Sequence, residues 1–235
     1  MAYLEVNGIP CVRGRLILPL SGVWVADVVA EAENDVGVFP TPGASCTVTF
    51  GTQSFQGTVR RSSNPFGTVF ARLVGGAGGL PMDLEAKAYQ NTTVENVLND
   101  LLGDCGEVLA DSSDQSVLTQ PLASWARLAS PAWQSLAVLM AWVNPGGNWR
   151  VLPNGQVWVG NETYPPTTME SAELLGYFPH LLEAEIFSDT PSIQPGQSYL
   201  GGQISLVTHF AEPGTIKSQI QFNDQQLSNV EDGNG

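Results

Sequence analysis

Apolar residues recur with a period of two through most of this chain, and only between Glu85 and Val159 does a helical period replace it. A period of two places alternate side chains on opposite faces of a strand. From Val23 to Glu33, Trp24, Ala26, Val28, Ala30 and Ala32 share one face, and Val23, Val25, Asp27, Val29, Glu31 and Glu33 share the other. The first face reads as buried, and the second is acidic at one end. Cys46, Val48 and Phe50 alternate with Ser45, Thr47 and Thr49; Phe55, Gly57 and Val59 follow after a turn at Gly51-Thr52-Gln53. Beyond the breaker Ser62-Ser63-Asn64-Pro65, Phe66 to Val74 is again strand-like. Five or six short strands divided by Gly and Pro predict a small closed or partly closed β-barrel. Gly75-Gly76-Ala77-Gly78-Gly79 interrupts the pattern. No Lys-Ser/Thr pair follows it, so it reads as a flexible linker or loop and not as a phosphate loop.

In the central stretch, a short strand, Leu84 to Tyr89, leads to Thr92 and, three residues on, Glu95, the spacing of a helix capping box. Val94, Val97, Leu98, Leu101 and Leu102 follow at helical spacing, and Gly103 is placed to end the helix. Ser130 as N-cap with Pro131 at the first helical position predicts a second helix, with Trp133, Leu136, Ala137, Met140 and Leu139 or Val143 as its apolar stripe and Asn144-Pro145-Gly146-Gly147 as its stop. Asn154-Gly155 between Trp149-Arg150-Val151-Leu152 and Gln156-Val157-Trp158-Val159 predicts a hairpin. After Tyr164-Pro165-Pro166 the alternation returns around Ala184, Leu206 and Ile220, which suggests a second small barrel. The end, from Asn223, is polar and reads as a tail or as an arm that orders on a partner.

Nine basic side chains against 23 acidic ones give a formal net charge of -14, which argues against tight nucleic-acid binding, since that draws its affinity from Lys and Arg on phosphates. The three cysteines, Cys11, Cys46 and Cys105, suggest neither a disulfide framework nor a zinc site. Met1 to Pro10 lacks the basic start and apolar run of a secretory signal, and no run is long enough for a spanning helix. His180 and His209 lie in no metal-ligand spacing. Asp104, Glu107, Asp111 and Asp114 do not follow a calcium-loop pattern and read as solvated loop charges. Five of the six tryptophans fall in the helix and hairpin region, where packing is the simpler use for them than a sugar platform. No catalytic, cofactor-binding or metal-binding residue is expected, and the chain is not expected to be an enzyme.

The order of parts carries a resemblance. A small barrel precedes Ala88-Tyr89-Gln90-Asn91-Thr92-Thr93-Val94 and its helix, then Trp125-Ala126-Arg127, a second helix, the Trp149 to Val159 hairpin, and Ile193-Gln194-Pro195-Gly196 opening a closing barrel. This succession, over roughly residues 1–222, resembles the baseplate hub proteins of contractile-tailed bacteriophages, the late control D family. It is also similar to the N-terminal part of the VgrG spike proteins of type VI secretion. The resemblance implies an α+β, mostly β fold with a first tube-like barrel at 1–82, a helix and hairpin module at 83–165, a second tube-like segment at 166–222 and a polar tail at 223–235. It implies a homotrimer whose barrels form a pseudo-sixfold ring between a hexameric tail tube protein and a trimeric central spike protein, with other baseplate proteins outside. DNA would pass through the ring without specific binding. The spike would be a separate protein, and the place of action the virion tail, assembled in the host cytoplasm. Asp27, Glu31 and Glu33 are candidates to line the lumen, where an acidic wall would repel phosphates. The rival reading is a tail-associated cell-wall-binding or murein-degrading protein.

Overall fold

The computed structural model of the chain describes residues 3–31, 33–34, 37–161, 173–187, 193–200 and 202–223. It opens with β1 (Leu4–Val6), β2 (Ile9–Pro19) and β3 (Val25–Glu31), a small ribbon of β4 (Glu33–Asn34) and β5 (Gly37–Val38), then β6 (Ser45–Phe50), β7 (Gln53–Ser63) and β8 (Thr68–Gly75). Antiparallel pairing runs β1-β6-β7-β8-β3-β2 and returns from β2 to β1, which closes a six-stranded barrel. The alternation sets its interior: Ala26, Val28 and Ala30, Val48 and Phe50, Phe55 and Val59 are all buried. Trp24, just before β3, is buried with them and meets Phe55 edge-on at 5.6 Å.

The central module follows. β9 (Asp83–Leu84) and β10 (Lys87–Thr93) precede α1 (Val94–Asp104) and a short α2 (Gln115–Leu118); β11 (Pro121–Arg127) and β12 (Ser130–Pro131) precede α3 (Ala132–Val143); β13 (Asn148–Val151) and β14 (Val157–Gly160) form the predicted hairpin. Both long helices start one residue later than their sequence signals. Thr92 is drawn into the β10–β11 ladder opposite Leu122, so the cap passes to Thr93, whose hydroxyl accepts from the Asn96 N–H at 3.3 Å. Ser130 and Pro131 likewise pair with β9, so Pro131 is the cap and not the first helical residue. α3 buries Leu136, Leu139 and Met140 but turns Trp133 and Trp142 outward, and Trp133 therefore leaves the predicted stripe. No charged residue marks the outer face of α3, so its sequence pattern is ambiguous.

The glycine-rich stretch is not a loose linker. The buried Glu107 carboxylate accepts from the N–H of Ala77 at 2.9 Å and of Gly79 at 2.8 Å. A Cβ on Gly76 would lie 2.4 Å from Glu107 Oε2, and one on Gly79 would lie 1.8 Å from the Cys105 carbonyl oxygen. These glycines permit close approach of backbone to carboxylate. The neighbouring acids are also anchored, Asp104 to Arg127 at 2.8 Å and Asp114 to the Ser116 N–H at 2.8 Å as the cap of α2. The hairpin joins the barrel end through Gly22 N–H to Trp149 O, Val151 N–H to Gly22 O and Gln56 N–H to Pro153 O.

The last strands are β15 (Glu173–Phe178), β16 (Glu183–Phe187), β17 (Ser198–Tyr199), β18 (Gly202–Glu212) and β19 (Thr215–Phe222). Mostly β architecture holds, as the patterning predicts. Where the sequence suggests a second barrel, the described strands extend the sheet of the first: β18 pairs with β2, and the order continues β18-β19-β16-β15. Buried residues of barrel, module and C-terminal strands form one contiguous core. The Tyr164-Pro165-Pro166 breaker, Ala32 and the tail beyond Asn223 lie outside the described residues.

His209 on β18 is buried, with Nδ1 2.7 Å from Ser218 Oγ and its ring tilted against Phe50 at 5.7 Å; His180 is exposed in a single turn after β15. Burial pushes the His209 pKa down from 6.5 to about 4. A base with a lowered folded pKa adds no penalty above its unfolded value and costs stability as pH falls from there toward the folded value. Stability is therefore expected to decline between pH 6.5 and 4, by up to about 3 kcal/mol from this group, and urea unfolding of His209→Leu should show a shallower decline. Glu107→Ala leaves two backbone donors unpaired and is expected to cost about 3 kcal/mol in the same assay. Glu95→Ala, on the exposed face of α1, should cost less than about 0.5 kcal/mol.

Candidate functional surface

The core-facing side of the continuous sheet is apolar, so the chemistry sits on its other face. Register shows what that face presents. Arg61 on β7 is the cross-strand partner of Arg72 on β8, Arg72 of Asp27 on β3, Asp27 of Arg15 on β2, Arg15 of Phe210 on β18, Phe210 of Lys217 on β19, and Lys217 of Phe187 on β16. One transverse row thus crosses seven strands, about 29 Å at the usual strand spacing. It gathers four of the nine basic residues of the chain.

Asp27 is the hub of this row. Its Oδ1 accepts from Arg72 Nε at 2.7 Å, and its Oδ2 accepts from Arg72 Nη2 at 2.8 Å and from Arg15 Nη2 at 2.9 Å. The hydrogen bonds from Arg72 and then Arg15 hold its carboxyl below the ordinary carboxylate range, against the opposing effect of burial. Lys217 sits over the Phe210 ring at 5.6 Å and donates to Glu185 Oε1 at 3.1 Å. Farther along the strands, Gln219 and Gln221 both donate to the Glu183 carboxylate, at 3.0 and 2.9 Å.

On the barrel side this face holds a groove of about 580 Å³. It spans two adjacent rows on β7, β8, β3, β2 and β18, with Arg13, Arg15, Arg61 and Arg72 facing two carboxylates, Asp27 and Glu212. Phe70 and Phe210 add apolar wall.

Of the residues singled out by sequence, Asp27 lies on this face inside the arginine pair, and Glu31 is exposed at the end of β3 on the same alternation. Glu33 falls in β4, opposite Val38 on β5 and so beyond β3; its side chain is outside the described residues. The surroundings of Asp27 are locally basic, not acidic. Sequence reading missed the four arginines. Each falls on an outward position of its strand, but partners 12 and 45 residues apart, as Arg15 and Arg72 are from Asp27, are not visible in a periodicity. Among the described residues no three His, Cys, Asp or Glu side chains gather in a geometry that could hold a metal ion.

No family model and no curated protein sequence matches the chain. Solved structures do match its fold over nearly its whole length. The 43 kDa tail protein of prophage MuSo2 from Shewanella oneidensis superposes with a TM-score of 0.67 at 10% identity, covering 94% of this chain and 96% of that one. A tail protein from Neisseria meningitidis MC58 gives 0.65 at 12% identity, covering 95% and 96%. The E. coli c3393 protein gives 0.68 at 12% identity, covering 94% and 77%; it is a component of the type VI secretion system with structural similarity to the T4 bacteriophage tail proteins gp27 and gp5. At these identities the likeness is one of fold, which the chain shares with these tail and type VI secretion proteins.

Removing Asp27 leaves Arg15 and Arg72 facing each other with Arg61 beside them. Asp27→Ala is expected to lower the unfolding free energy by about 1 kcal/mol, a modest value because the triad is partly solvated. A carboxylate with a lowered folded pKa stabilises above its unfolded value and loses that contribution as pH falls through the folded one. The difference from the unsubstituted chain should therefore persist at neutral pH and shrink below about pH 4. Glu31→Ala should change stability by less than about 0.5 kcal/mol.

Proposed function

We propose that the chain is the structural hub of a phage tail baseplate: a homotrimeric ring that joins the hexameric tail tube to the trimeric central spike and forms part of the DNA conduit. The observation that carries this reading is a continuous sheet with one apolar and one polar face, in a fold shared with phage tail proteins over nearly the whole chain. A conduit wall needs a regular surface, and pairing among its polar groups weakens their hold on what passes. The Glu183 ladder and the Asp27 triad meet that need, because side chains bonded to one another offer little to a passing phosphate backbone. The polar face is turned to the axis in this reading, so Asp27 and Glu31 line the lumen, with Glu33 near the rim. The wall is then of mixed charge at Asp27, while the -14 of the whole chain supplies the general repulsion of DNA.

The module lies outside the ring, where the exposed Trp133, Val138 and Trp142 of α3 suit contacts with other baseplate proteins. The role is structural and not catalytic, and the place is the virion tail after assembly in the host cytoplasm. Two measurements test the proposal together. Light scattering of the purified protein should return three times the 25.0 kDa chain mass, and labelled antibody on intact particles should mark the axis of the tail tip. A monomer that degrades murein would overturn the hub in favour of a cell-wall enzyme.

A further inference from the structure

The groove across β7, β8, β3, β2 and β18 holds more positive charge than a passive wall requires. Arg72 and Arg15 are engaged by Asp27. Arg61 and Arg13 are exposed, and neither has a hydrogen-bond or ion-pair partner among the described residues. Arg61 stands directly opposite Arg72 across the β7–β8 pair. Like charges in that position destabilise a sheet, and an anion lodged between them removes the cost. The volume of about 580 Å³ is that of a ligand site. The groove crosses five strands, about 19 Å, which is the length of five or six extended residues. Its walls carry guanidinium groups together with the rings of Phe70 and Phe210.

We infer that this groove binds an extended, carboxylate-bearing polypeptide segment of a partner protein. One acidic side chain pairs with Arg61 and another, three strands away, with Arg13, and apolar side chains cover Phe70 and Phe210. Nucleic acid is the other anion with this chemistry, and the charge distribution disfavours it. A long phosphate backbone would also cross a surface with 23 acidic side chains, whereas a short peptide meets only the four arginines and two carboxylates of the groove. The inference rests on the groove alone, and it holds whether the chain is a ring-forming hub or not.

The test is fluorescence anisotropy on the full-length protein. The probes are a labelled peptide of about ten residues alternating Glu with Leu or Phe, the same peptide with Gln for Glu, and single- and double-stranded DNA of about twenty nucleotides. The Glu peptide should bind, weaken with added salt, and lose about tenfold in affinity on change to Gln. Arg61→Ser and Arg13→Ser should each weaken it severalfold and together abolish it, without loss of the folded state by circular dichroism. Arg60→Ser, on the same strand but outside the groove, should leave it unchanged. Absence of binding by the Glu peptide, or binding indifferent to Arg61 and Arg13, overturns the inference. So does DNA that binds more tightly than the peptide and is released by the same two substitutions.

Discussion

The fold depends on how the free edge of one strand, β2, is shared. Its other edge is taken by β3, and two further partners divide what remains: Ile9 and Pro10 pair with β1, and Gly14 to Pro19 pair with β18. The first pairing closes the barrel, and the second carries the sheet out of it. Gly14 sits at the fork, opposite Ala211 near the end of β18, where a Cβ would lie 2.5 Å from Leu4 Cδ2 and 2.7 Å from the Asp27 carbonyl oxygen, so glycine leaves room for Leu4 of β1 and the backbone of β3. Because one strand serves both units, the barrel and the C-terminal strands share a core and a common outer face. The rows of side chains across that face exist only because the pairing is continuous.

Continuity of this kind has a mechanical sense. The module is tied to the barrel by main-chain hydrogen bonds at Gly22 and Gln56 and by the Glu107 carboxylate on the glycine-rich loop, and the C-terminal strands by the ladder on β2. Such joints are short-range and directional, because a hydrogen bond weakens steeply away from its preferred distance and angle. They fix the module and the C-terminal strands to the barrel in one arrangement.

Much of this was legible in the residues, and the limits have physical causes. A period of two tells which face a side chain takes, and it placed Ala26, Val28 and Ala30 inside and Asp27 outside. It carries no information on which strand lies alongside, so a second barrel and an extension of the first look alike in sequence. The same blindness hides the arginines around Asp27 and makes a net positive triad look like an acidic face. Local signals failed where tertiary pairing competed with them: strands claimed Thr92 and Pro131, and each helix cap moved by one residue. Glycines 75–79 look like freedom in the sequence because composition cannot distinguish a residue that must move from one that must leave room.

The distribution of charge links these levels. With few basic residues in the chain, four of them stand in one transverse row, and a fifth, Arg13, lies in the row beside it. Asp27 binds two guanidinium groups but brings only one negative charge to them, so the triad itself stays positive and the arginines beside it go uncompensated. The sheet therefore keeps an uncompensated positive strip on a molecule that is otherwise strongly acidic. Screening confines that strip's influence to about 10 Å at ordinary ionic strength. What it attracts must come close and be small enough to escape the negative remainder, which makes the groove selective by size as well as by sign.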